Sequence, residues 1–285
     1  MSASADLAPA PPAATGPRQS PLTWLRWELS DAGVMTWRNL MRWVRLPQLV
    51  VVSTIQPIMF VLLFNFVFGG PIDIAGIDNY IDYLLAGIFV QATTFGATQT
   101  GVALAEDLDK GVIDRFRSLP MSRGAVLTGR TIADALRGLF VVGLMTVIGM
   151  LIGFRFQAGW LSALGAVAIV VAFGFALCWV AAVIGMSMKG AEAAQAASFV
   201  WVFPLVFASS AFVPTQEMPG WLAAFADNQP VSAVANAARA LMLGEPGEAI
   251  AGGTAGSLSL QAIAWIVGIL VVAGPLAVRR YRRAV

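Results

Sequence analysis

The side chains able to do chemistry gather in one stretch, EDLDKGVIDRFRSLPMSRGAVLTGR, which holds Glu106, Asp107, Asp109, Lys110, Asp114, Arg115, Arg117, Arg123 and Arg130. Elsewhere the catalytic vocabulary is thin. The chain has no His and one cysteine, Cys178, which removes imidazole acid–base work, an internal disulfide and a cysteine metal cluster. No G-x-x-x-x-G-K-[ST] run is present, nor any Gly-Lys pair, so nothing in the sequence cradles nucleotide phosphates. The chemistry left to the charged stretch is recognition. Glu106, Lys110 and Asp114 fall at successive intervals of four, which supports a helix. Ile113, Phe116 and Leu119 fall three apart and give that helix an apolar stripe for a partner groove. Leu119-Pro120 ends it, and Ser122 is placed to cap the next helix. The spacing therefore predicts a two-sided docking helix over Glu106–Leu119, where composition alone would read a row of solvated anchors.

The elements that must hold this stretch are apolar. Hydrophobic residues make up 58% of the 285, charged residues 12%, and mean hydropathy is +0.76. A water-soluble surface needs more charge than that, so the class is an all-α integral membrane protein. A formal charge of +2 is too small to point to nucleic acid. Six charge-poor runs are long enough to cross a bilayer, at about 49–68, 83–105, 132–154, 160–186, 193–213 and 258–278. Asp134 and Arg137 lie one turn apart at the entrance of the third, where they can pair or snorkel. With both termini inside, sixteen of the eighteen basic residues face the cytoplasm and only Arg155 and Arg239 lie outside, a decisive positive-inside bias.

Ahead of the first span, residues 1–21 read as a Ser/Ala/Pro-rich disordered tail. Residues 22–46 read as an amphipathic helix lying at the headgroups. Val34, Trp37, Met41 and Val44 form its apolar spacing, with Arg38, Arg42 and Arg45 on another face. Pro47 is expected to separate it from the first span. Residues 279–285 form a basic cytoplasmic tail. The outer connection, 214–250, carries an apolar Trp221–Phe225 run, a polar turn at Asp227, Asn228 and Gln229, and a second short helix after Pro230. Surface loop and re-entrant segment are equal readings of it from composition. A transport path is expected among Gln91, Thr94 and Thr98 of the second span and the Phe199, Phe203, Phe207 stripe of the fifth, although helix packing explains such residues more often. Gly149 and Gly153 are expected to permit a close helix approach.

Glu106 through Gly111, Arg115, Leu119-Pro120, Ser122-Arg123 and Gly129-Arg130 resemble the coupling-helix region of type-two ABC exporter permeases, particularly the daunorubicin-resistance-like branch. Asn228-Gln229-Pro230-Val231-Ser232, with Ala237–Leu241 and Gly244, resembles that family's signature before its last span. The likeness covers the chain after the tail. It implies a non-catalytic half-transporter of a bacterial plasma membrane. Two permease chains, identical or homologous, would be served by two copies of a separate ATP-binding subunit, which holds the ATP and Mg while this chain binds no cofactor. It further implies that Glu106–Leu119 docks the ATPase, that 22–46 is an interface helix beside it, and that 214–250 is re-entrant and forms an outer gate with Trp221, Asn228, Gln229 and Pro230. The substrate so implied is a hydrophobic drug, antibiotic or lipid. A proton-coupled secondary transporter is the alternative, but it needs an ionisable group at mid-span. An intramembrane enzyme lacks both His and a buried carboxylate pair.

Overall fold

The computed structural model describes residues 21–69, 77, 79–112 and 123–284. Among them every regular element is helical. Helix α1 spans Pro21–Arg45, α2 Pro47–Leu63 continued by a π turn at Phe64–Phe68, and α3 Tyr80–Asp109. Then come α4 (Arg123–Ile152), α5 (Trp160–Gly185) and α6 (Ala191–Phe207). A 3₁₀ turn at Thr215–Glu217 leads to the short helices α7 (Gly220–Asp227), α8 (Pro230–Leu243) and α9 (Glu245–Ala251), and α10 (Ala255–Ala284) closes the chain.

The bundle is wound around α3. Twenty of its thirty residues are buried, and α4, α5, α6 and α8 pack around it. Because other helices sheathe it, α3 can carry Gln91, Thr93, Thr94, Thr98 and Thr100 in its buried face without placing them in lipid. Its closest neighbour is α5, and the contact depends on glycine. A Cβ at Gly185 would run into the carbonyl of Gly101, and one at Gly101 into that of Ala181, so the two backbones touch. Gly149 likewise lets Leu85 approach, since a Cβ there would lie 2.7 Å from Leu85 Cδ2. Gly153 does something other than pack a helix: at φ +129° with no atom near its missing Cβ, it makes the turn that ends α4.

Among the described residues three helices are by themselves long and apolar enough to cross a membrane, over Ala125–Ile152, Trp160–Gly185 and Ala255–Tyr281, and two shorter apolar helices cover Ser53–Val67 and Ala191–Phe207. The apolar run expected at 49–68 is one helix with Pro57 inside it and a π turn at its end. That expected at 193–213 stops at Phe207, three residues past Pro204. Outward faces are strongly apolar, with Leu161 85%, Leu151 82% and Val200 77% exposed, the inverse of a water-soluble surface.

Helix α1 lies against the start of α4. Ala32 and Met35 are buried there, and the Thr36 hydroxyl donates to the Gly129 carbonyl at 3.1 Å. The residues read from the sequence as its apolar face turn the other way, with Val34, Trp37 and Val44 exposed and Met41 half-buried. Arg38, Arg42 and Arg45 are also exposed. Ala32, Met35 and Thr36 meet the bundle, while Trp37 and the three arginines face the surroundings. The chain breaks at Leu46, and Pro47 restarts it at the first position of α2.

Candidate functional site

At one end of the bundle the last turn of α3 meets the first turns of α4 through charge. Arg130 Nη1 lies 3.2 Å from Asp107 Oδ2, and its Nε lies 3.9 Å from Asp134 Oδ2. Arg137 Nη1 lies 3.2 Å from Asp134 Oδ1 and donates from Nη2 to the Gly96 carbonyl at 3.0 Å. The Thr100 hydroxyl donates to Asp134 as well. Two carboxylates and two guanidiniums thus alternate along the α3–α4 seam, each only partly open to solvent, so every charge meets its opposite. At the exposed tip Lys110 Nζ pairs with Glu106, the four-residue interval seen in the sequence. The hydrogen bond from Lys110 is the main reason the Glu106 carboxyl is held below its usual range. Asp109 is exposed beside them. Asp114, Arg115, Phe116 and Leu119, the remainder of the expected docking helix, lie outside the described residues.

The seam opens into a cavity of about 490 Å³ between α2, α3, α4, α5 and α6. Gln91, Thr98, Phe199 and Phe203, all expected on a transport path, line it. Thr94 does not: it is fully buried and its hydroxyl bonds the Val90 carbonyl at 2.7 Å. Phe207 also stands apart, stacked on Phe203 at 5.3 Å and on Phe212 at 5.6 Å. Phe60 and Phe95 join the wall, with Phe95 edge-on to Phe203 at 5.5 Å. Polar groups oppose these rings. Gln56, Gln99 and Gln195 line the cavity, and Asp134 and Arg137 bring the seam into it. The Gln91 side-chain oxygen is buried with no hydrogen-bond donor. An aromatic wall facing amides and a neutralised ion pair suits an amphipathic guest rather than an ion.

The opposite end is held by a different device. Gln229 Nε2 donates to the Leu205 and Ala208 carbonyls at 2.7 and 2.9 Å, so it closes the open end of α6, while its oxygen caps α8 at Val231 N. Pro230 sits at the first position of α8. Asn228 donates to the Ala224 carbonyl within α7 and is exposed, as is Trp221 at 77%. Behind them Arg239, fully buried, donates from Nε to the Tyr83 carbonyl (3.2 Å), from Nη1 to Asn236 Oδ1 (2.7 Å) and from Nη2 to the Ser210 carbonyl (3.0 Å). Its guanidinium carbon stands 3.7 Å from the centre of the Tyr83 ring. The Tyr83 hydroxyl in turn donates to the Ser210 carbonyl at 2.7 Å.

Sequence reasoning gave Arg239 a side of the membrane and a place in the Ala237–Leu241 run, but no role of its own. The signal that could have found it is a lone arginine in the otherwise uncharged run of residues 230–243. Gln56 and Gln195 were missed because single amides in apolar runs carry no periodic pattern. Among the described residues no group of His, Cys, Asp and Glu could hold a metal ion.

An all-helical bundle with lipid-facing apolar sides, a polar hub helix and a cavity fed from a charged end is the build of a multi-pass membrane transporter. Residues 31–243 match the family model described as ABC-2 type transporter, and the chain belongs to that family. It is 35% identical over 249 residues to the daunorubicin resistance ABC transporter permease protein DrrB1 of Streptomyces coeruleorubidus, covering 86% of this chain and 84% of that protein. It is 29% identical over 252 residues to the Mycobacterium tuberculosis protein named "Probable doxorubicin resistance ABC transporter permease protein DrrC", covering 88% of each. The doxorubicin resistance ABC transporter permease protein DrrB of the same organism is 28% identical over 164 residues, covering 58% of this chain and 57% of that one.

Proposed function

We propose that this chain is the membrane-spanning permease subunit of an ATP-driven exporter of a hydrophobic drug, antibiotic or lipid-like molecule, acting in a bacterial plasma membrane with both termini cytoplasmic. The observation that carries the reading is the aromatic and amide-lined cavity joined to the charged α3–α4 seam in a chain of this family. The names of the similar permeases support the choice of cargo.

In this reading the helices α2 to α6 and α10 supply six spans, and two such permeases form the path. A separate ATP-binding subunit, in two copies, docks on the tip that begins at Glu106 and carries the ATP and Mg. Helix α1 lies at the membrane boundary against α4, so a push at the docking tip reaches α1 and the seam together. Asp107, Arg130, Asp134 and Arg137 then carry the displacement to the cavity wall. Nucleotide drives the change only because it binds one arrangement of the ATPase pair better than the other. Proton coupling gains nothing from the geometry, since Asp134, the carboxylate in the cavity wall, is committed to two arginines and a threonine.

The test is a C-terminally tagged chain purified in detergent from its own cells, followed by reconstitution with whatever co-purifies. A stoichiometric P-loop ATPase, with ATP-dependent export of a planar amphipathic drug that falls on Phe203→Ala or Gln91→Leu, is the expected result. A well-folded chain that comes down alone and moves such a drug with a proton gradient and no ATP would overturn the proposal.

A further inference from the structure

Three donors satisfied by oxygens explain Arg239 as a staple, but among the described residues they leave its charge without a carboxylate partner. A guanidinium carries five N–H groups, and three have acceptors among the described residues, so Nη1 and Nη2 each retain one there. None of the acceptors is a carboxylate, and none of the ion pairs given above includes Arg239. A fully buried cation in a membrane bundle ordinarily stands opposite an anion, because an unpaired one carries the whole desolvation cost. The π face of Tyr83 offsets only part of that cost.

Above this cation lies a pocket of about 360 Å³, at the end of the bundle away from the charged seam. Arg239 and Tyr83 are in its floor, and its walls bring Thr215, Gln216, Asn236 and Gln261 together with Ala223 and Asp227 of α7. Asn236 Oδ1 already accepts from Arg239 and from Ser210, so its amide N–H groups remain to donate. Hydroxyl and amide donors over a buried positive charge are what an oxyanion needs. A narrow cleft with low-dielectric walls also focuses the field of its floor onto whatever enters. The one carboxylate lining the pocket among the described residues, Asp227, is exposed at the edge, where water screens it.

We propose that this pocket is an oxyanion site: a phosphate-type group binds over Arg239, takes hydrogen bonds from the wall amides and hydroxyls, and supplies the missing counter-charge. The group can arrive as a lipid headgroup or as a free anion, and the two sources are separable. The site does not depend on which cargo the cavity carries.

The experiment uses the full chain in an uncharged maltoside detergent. Inorganic phosphate is titrated while thermal unfolding is followed, and retention of added phosphatidylglycerol through detergent washes is measured by native mass spectrometry. A saturable rise in the unfolding midpoint with phosphate, absent with chloride, identifies a free-anion site. One phosphatidylglycerol retained per chain without a phosphate response identifies a headgroup site; both responses together show that either source fills it. Ala223→Trp fills the pocket from α7 without touching Arg239 and should weaken binding by at least about tenfold. Asp227→Asn, at an exposed position, should tighten it several-fold by removing the like charge. Arg239→Gln should abolish it; if that variant does not fold, the two pocket variants decide. Absence of both phosphate and lipid binding, or binding unaffected by Ala223→Trp and Asp227→Asn, overturns the proposal.

Discussion

Arginine is handled in opposite ways at the two ends of this bundle. At the charged seam Arg130 and Arg137 keep 15% and 19% of their side chains exposed and pair with carboxylates. At the far end Arg239 has no exposure and is held by two backbone carbonyls, one amide and a tyrosine ring. The seam is a chain of exchangeable ion pairs, each close enough to water to be broken and remade at small cost. The far-end knot is not exchangeable, because the guanidinium has no exposure and cannot trade its acceptors for water without opening the bundle. In the proposed mechanism the first end transmits movement and the second resists it.

The largest test of that contrast is Arg239→Ala. It removes three buried hydrogen bonds and the contact with the Tyr83 ring and leaves a cavity, so the purified chain should lose about 3 kcal/mol or more of stability, read as a fall in the thermal unfolding midpoint and in membrane yield. Asp134→Asn at the seam should cost less, about 1 kcal/mol, since both arginines still reach water. That loss should shrink in high salt while the Arg239 effect does not. A seam variant as damaging as the knot variant would end the comparison.

Tyr83→Phe sharpens it further. The ring stays over Arg239 and only the hydroxyl bond to Ser210 is lost, so about 1 kcal/mol is expected. The smallest effect is at the exposed tip of α3, where Lys110→Ala removes a pair with Glu106 worth about 0.2–0.5 kcal/mol. Glu106 is held below the normal glutamate range in the folded chain, so the pair contributes above that range and its contribution disappears as pH falls through the folded-state value. Lys110→Ala and the parent chain should therefore differ near neutrality and converge in acid.

The helices and their membrane character were legible in the residues because charge-free runs of bilayer length have few other uses. Part of the cavity was legible too. Gln91, Thr98, Phe199 and Phe203 stood out as polar groups and a ring stripe in apolar helices, and they meet at one wall. Thr94 and Phe207 shared the same pattern but fall elsewhere, since a spacing of four specifies a helix face and not which neighbour covers it. Val34, Trp37 and Val44, read as the apolar side of α1, point outward, because it is Ala32 and Met35 that pack on the bundle against Gly129.

What the sequence determined by itself was class and punctuation: a membrane bundle, a charged stretch between spans, a break at Pro47 and another at Pro230. Those follow from local physics, from the cost of charge in lipid and the missing N–H of proline. Only the tertiary structure decided that Asp107, Arg130, Asp134 and Arg137 form one seam, or that Arg239 sits fully buried on Tyr83. The seam's link between α3 and α4, Arg130 to Asp107, joins residues 23 positions apart and the Arg239–Tyr83 contact residues 156 apart, and no local spacing encodes either.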